Sequence, residues 1–188
     1  IVHAPTRREA ALRLARILGT TRIQGLTTNR DFLVSVLKTP DFIAGDTTTD
    51  FINRINPSRV YAPNHADLVD AAIAVAMKAQ ENHRNAAKVL KTIQSGWRNT
   101  SMPPESVTLQ DGNTAITIQY RSQRDGRFLV TVKDVRYRVR INPSRKINGH
   151  SNNISLEIDN RRLTYTVTSH EDFWLAHGPR GQIEFKLF

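Results

Sequence analysis

At 188 residues, with 39% hydrophobic and 23% charged residues, the chain is long enough for one or two domains with a buried core and too apolar for global disorder. A formal net charge of +10 raises the question of anionic partners, and the absence of cysteine excludes a disulfide scaffold, a thiolate zinc site and a cysteine nucleophile, as expected of a cytoplasmic protein. No apolar run approaches the ~20 residues that cross a bilayer, so no membrane partner is expected.

Ile1-Val2-His3-Ala4-Pro5 has neither a starting methionine nor a signal peptide; it reads as a strand end cut mid-domain, and the chain as a fragment of something longer. Thr6-Arg7-Arg8-Glu9 has the form of a capping box, after which Ala10, Ala11, Leu14, Ile17 and Leu18 recur at helical spacing. Gly19 is the expected stop. Thr28 or Asn29 caps a second helix whose buried face is Phe32, Leu33, Val36 and Leu37, ended by Pro40. Thr47 to Ile52 reads as a third, short helical turn. Residues 53 to about 64 hold Asn56-Pro57-Ser58 and Pro63-Asn64, which mark a linker.

Ala66 to about Gln94 contains no Gly or Pro and reads as one long helix. Its first half is apolar nearly all round and should be buried on most sides; from Gln80 to Lys91 it turns polar and should project out. Beyond Gly96 the period changes to two. Ile116-Tyr120, Val135-Ile141, Ile154-Ile158, Leu163-Val167 and Ile183-Leu187 alternate apolar with polar residues, and Val107-Leu109, Phe128-Val132 and Phe173-Leu175 bring the number to about eight strands. Asp111-Gly112, Asp125-Gly126, Asp159-Asn160 and Gly178-Pro179 are the turn signals. The fold class is therefore α+β: a short helical segment, then an antiparallel β-barrel of about eight strands around the long helix, a closure that covers the apolar face and leaves no sheet edge; the alternative is an ordinary sandwich beside an independent helix, and the all-round apolarity of the helix favours the barrel.

No catalytic, cofactor-binding or metal-binding set is visible. The six histidines have no zincin spacing, and Glu171-Asp172 beside His170 reads as a polar strand entrance. No glycine loop of the phosphate-cradling kind occurs. Ala76-Met77-Lys78-Ala79 is similar to the Ala-Met-Lys-Met tetrapeptide of biotin carrier domains. That lysine needs an exposed β-turn, whereas Lys78 lies within a predicted helix, so it is rejected as an attachment site. The residues singled out for partner binding are Trp97 and Arg98, after the helix stop, and Arg136, Arg138 and Arg140, which share one face of one strand. Nucleic acid would call for aromatic residues on that face, and Tyr137 points the other way.

Residues 25–52 carry Gly25-Leu26-Thr27-Thr28-Asn29, Phe32-Leu33, Pro40-Asp41-Phe42, Gly45-Asp46 and Thr49-Asp50-Phe51-Ile52. This pattern resembles the C-terminal end of the biotin carboxylase domain of acyl-CoA and pyruvate carboxylases, and the Thr6–Leu18 helix is similar to the one preceding it there. The long helix, Gly96-Trp97-Arg98 and eight strands resemble the BT domain of biotin-dependent acyl-CoA carboxylase α subunits of the acetyl-, propionyl- and methylcrotonyl-CoA carboxylase type. The resemblance implies residues 1–53 as the end of a biotin carboxylase domain, 54–65 as a linker and 66–188 as the BT, or subunit-interaction, domain. It implies a non-catalytic connector, inactive alone, in a parent subunit that carboxylates biotin with ATP for transfer to an acyl-CoA. Biotin, ATP and Mg or Mn would belong to the full-length protein, with no cofactor in this stretch. The implied partners are a carboxyltransferase β subunit and the biotin carboxyl carrier domain of the same parent chain, in a hetero-oligomer, with no nucleic acid. The alternative reading is a basic β-barrel that binds nucleic acid.

Overall fold

The computed structural model describes residues 1–23, 26–89, 103–142 and 152–187. The chain divides into two compact units, Ile1–Ala62 with Pro179–Gly181, and Pro63–Gly178 with Gln182–Phe188.

In the first unit Thr6 caps α1 (Arg7–Thr20), its hydroxyl accepting from Glu9 N–H at 3.2 Å. Gly19 is not the stop. The helix runs through it to Thr20, because the Thr20 and Thr21 hydroxyls bond back to the Ile17 carbonyl and Thr21 N–H takes the same acceptor. α2 (Arg30–Lys38) follows Asn29, but the helical face departs from expectation: Val36 and Leu37 are buried, while Phe32 is half-buried and Leu33 is exposed. Pro40 ends α2 and also begins α3 (Pro40–Ala44), where its missing N–H costs nothing at the first helical position. α3 stops on Gly45 at φ 91°. The short turn expected at Thr47–Ile52 forms later, as α4 (Phe51–Ile55), so the linker expected from residue 53 begins as helix. Ala11, Ala15 and Leu37 make the small core, with Leu14, Leu18 and Phe42 packed against it. Arg54 grips Asp41 and Asp46, each at 2.9 Å.

The second unit is one helix and one barrel. Asn64 Oδ1 accepts from Asp67 N–H at 2.8 Å and starts α5 (His65–Ala86), which ends well short of Gln94. Val69 to Gln80 are buried without interruption, about three full turns, so every face of that stretch is covered. Past Gln80 the helix is half-buried or exposed, and Val89 lies 73% exposed. An exposed Val89 gains nothing from a further helical turn, and residues 90–94 of the expected helix lie outside the described residues.

Eight antiparallel strands follow in sequence order: β1 (Glu105–Asp111), β2 (Thr114–Ser122), β3 (Phe128–Val132), β4 (Val135–Asn142), β5 (Asn153–Ile158), β6 (Arg161–His170), β7 (Phe173–His177) and β8 (Gln182–Leu187). β8 pairs with β1 through Leu109 and Leu187, closing the barrel. α5 packs on β2, β5, β6, β7 and β8. An eight-stranded barrel has room for little more than its own side chains. A helix fits because Ala71, Ala72, Ala74, Ala76 and Ala79 keep it narrow, while Ile73, Val75 and Met77 are wholly buried, as are Leu109, Ile118, Leu156 and Phe185 of the strands. Two turns lack the usual glycine or asparagine signal. Lys133-Asp134, at φ 45° and 64°, joins β3 to β4, and Glu171-Asp172, expected at a strand entrance, joins β6 to β7. In β7 the inward residues are Trp174 and Ala176, leaving Phe173 exposed. Gly178 is required by close approach: a Cβ there would stand 2.3 Å from the Tyr165 ring.

Because the helix is the core of the barrel, both underfilling and overfilling it should show. Ile73→Ala should cost about 2–5 kcal/mol and Ala74→Leu about 1–3 kcal/mol, read from denaturant midpoints of the two variants. The barrel should also weaken in alkali. Tyr120, opposite Glu105 in register, is held well above its usual titration range, first by burial, then by a hydrogen bond to Glu105 and the charge of that carboxylate. Above about pH 10, where an ordinary tyrosine titrates, the unfolded chain releases a proton that the folded chain keeps. This contribution to stability is therefore complete below about pH 10 and declines as pH rises further. Unfolding curves of Tyr120→Phe on either side of that pH should show a shallower alkaline decline than the wild type.

Candidate interaction surface

The ionisable groups sort into those the fold consumes and those it leaves over. Asp70 is buried on α5 and receives both Nη1 and Nη2 of Arg161 at 2.9 Å each, a fork that ties the helix to the start of β6. The Arg161 guanidinium is held above its ordinary value, first by the hydrogen bond to Asp70 and opposed by partial desolvation. Raised in this way, the guanidinium stays charged throughout the neutral range. Lys78 is equally consumed: its side chain is 7% exposed and donates to Glu81 at 2.7 Å. A biotin-bearing lysine must stand free on a turn, so this lysine does not fit biotin. Among the described residues no group of three His, Asp or Glu side chains is arranged to hold a metal ion. His170 is exposed at the end of β6, and His177 is buried in β7.

Trp97 and Arg98 lie outside the described residues. Arg136, Arg138 and Arg140 stand where expected, exposed along the outer face of β4, while Val139 points into the barrel and Tyr137 is half-buried on that same inward side. Strand geometry repeats their side chains about every 7 Å. Pairing with β3 sets Arg136 opposite Thr131 and Arg138 opposite Leu129. The same register, continued one step beyond Phe128 and Val139, brings Arg127 level with Arg140. On the other side Arg140 faces Glu157 of β5. The β5–β6 turn is clipped to the row: Arg138 N–H donates to Asp159 Oδ1 at 2.8 Å, and Asp159 N–H to the Arg138 carbonyl at 3.0 Å. These residues line an open groove of about 500 Å³ with Leu129 in its floor, and a neighbouring hollow of about 650 Å³ continues it past Arg124 and Phe128.

Arg127 and Leu129 were not singled out from the sequence. The signal for them was the two-residue link between Val132 and Val135. Read as a tight hairpin, it dictates the register across β3 and β4, but Lys133-Asp134 does not carry the residues by which such turns are recognised.

The comparisons with known proteins divide the chain as the fold does. The family model for the biotin carboxylase C-terminal domain matches residues 1–54. The model for the BT domain of the methylcrotonyl-CoA carboxylase α-subunit matches residues 63–186, about two thirds of the chain. Among curated proteins, methylcrotonoyl-CoA carboxylase subunit alpha, mitochondrial, of Mus musculus is 27% identical over 150 residues, covering 74% of this chain and 21% of that protein. The Rattus norvegicus protein of the same name has the same identity and coverage. The chain thus spans about a fifth of the length of these relatives.

The Asp70–Arg161 pair should behave as structure. Arg161→Met strands a buried carboxylate and should lower stability by about 1–3 kcal/mol, less than for a wholly buried pair because the arginine is half exposed. The double variant Asp70→Leu with Arg161→Met should recover most of that loss in the same thermal melts, since an apolar pair leaves no buried charge unmatched.

Proposed function

Since the chain belongs to the family of biotin-dependent carboxylase α subunits, matched through the methylcrotonyl-CoA carboxylase α-subunit BT domain, we propose that it serves as the connector of such a subunit. In this reading residues 1–53 close a biotin carboxylase domain, 54–65 link, and 66–188 dock on a carboxyltransferase β subunit. The parent protein carboxylates biotin with ATP and passes the carboxyl group to an acyl-CoA. This stretch supplies no catalytic group and acts by tethering. Two active sites held on one assembly meet a shared carrier at the effective concentration set by the tether, which is high for a short one.

The observation that carries the reading is the filled barrel. α5 occupies the lumen where a small-molecule barrel would hold its ligand, so what the unit offers a partner is its outer surface. No described helix is long and apolar enough to cross a membrane. A cytoplasmic location, suggested by the cysteine-free composition, belongs to the same proposal, although the two rodent relatives are named as mitochondrial.

Co-precipitation of the full-length subunit with its carboxyltransferase should be lost on deleting residues 66–188, and residues 1–188 alone should turn over no ATP. Undiminished association after the deletion, or ATP turnover by the isolated stretch, overturns the connector role.

A further inference from the structure

We infer that the outward row Arg136, Arg138 and Arg140, with Arg127 beside it, docks an acidic segment of the carboxyltransferase subunit. The inference rests on the assembly reading above and names the chemistry of one contact within it.

The row is charge that the fold does not use. Arg30, Arg54 and Arg161 each hold a carboxylate at 2.9 Å. Among the described residues no carboxylate comes within ion-pair distance of the guanidinium groups of Arg136, Arg138 or Arg140, and Arg127 has only Asp125, at 3.8 Å. A strand fixes such side chains at one spacing, so their mutual repulsion cannot be relaxed by moving the backbone. An anionic partner relieves it, and arginine's planar fork suits carboxylates.

The surroundings favour polypeptide over nucleic acid. Among the described residues, the outward neighbours of the row on β3 and β5 are Leu129, Thr131, Ser155 and Glu157, none of them aromatic, and the nearby Phe128 is buried. Glu157, level with Arg140, would repel a continuous phosphate backbone, whereas a protein surface can meet it with a basic residue. Leu129 adds an apolar floor between the charges, as in the centre of a protein interface.

The test uses the full-length subunit with three changes to charge: R136E/R138E/R140E, the charge-preserving R136K/R138K/R140K, and the single R138E in case the triple reversal perturbs folding. Affinity for the carboxyltransferase subunit is measured from low to high salt, with melting temperature as the control. The triple reversal should weaken association by about 100-fold or more, since like charges then meet across the contact, and R138E should weaken it measurably with an unchanged melt. The lysine triple should lose less than about tenfold, and the salt dependence seen in the wild type should flatten in the reversal variants. Association unchanged in both reversal variants overturns the docking face. If deletion of residues 66–188 still abolishes association in that case, the assembly role stands and only this contact is wrong; if deletion also has no effect, both fail. Salt-sensitive binding of a single-stranded or duplex oligonucleotide, lost in the reversal variants while subunit association persists, overturns it in favour of nucleic acid.

Discussion

Twelve consecutive residues of α5 are shielded from water, and the rest of the second unit follows from that constraint. A helix is dry on all faces only when something surrounds it, and a sheet surrounds it without exposed edges only when closed. Closure in turn favours small side chains along the helix, which is why alanine recurs and the apolar bulk comes from Val69, Ile73, Val75 and Met77. The charged groups buried on the helix come with partners, Asp70 with Arg161 and Lys78 with Glu81. Both pairs sit toward the ends of the buried stretch, where one member can still reach water.

The strands were legible because each carries its burial in the simplest code, one apolar face every second residue, and all eight formed at or within a few residues of the expected positions. Turns were legible only where glycine or asparagine announces a positive φ. Lys133 and Glu171 reach that region although such side chains rarely adopt it, the hairpin geometry prevailing over local preference. Helix ends were harder, for two separate reasons. Gly19 is permissive rather than compulsory, and threonine hydroxyls terminated α1 instead. Periodicity past Ala86 promised a face, but Val89 finds no wall to receive it. Phe173 shows the same limit in a strand, where register decided which of two adjacent aromatic residues would be buried.

The arginine row was visible in one strand, yet its breadth was not, because breadth is a property of pairing. Arg127 joins it through the β3–β4 register and Glu157 through β5. The outside of a barrel whose stability resides within is free to vary: removing a residue there takes little from the core. That freedom allows a surface to hold charge in an arrangement that the isolated fold would not choose, and it separates the requirements of folding from those of recognition more cleanly than a pocket in the core would.

The pairing of Leu109 with Leu187 carries a consequence for how the chain reaches this state. α5 leads and the strand that completes its enclosure comes last, so the contacts that shield the helix span most of the unit and form late. Topologies dominated by such distant contacts fold slowly and leave apolar surface open meanwhile. During synthesis the alanine-rich helix must wait, uncovered, until β8 has left the ribosome. A chain interrupted before Gln182 would present a hydrophobic helix in an unclosed sheet, the kind of species that chaperones hold and proteases remove.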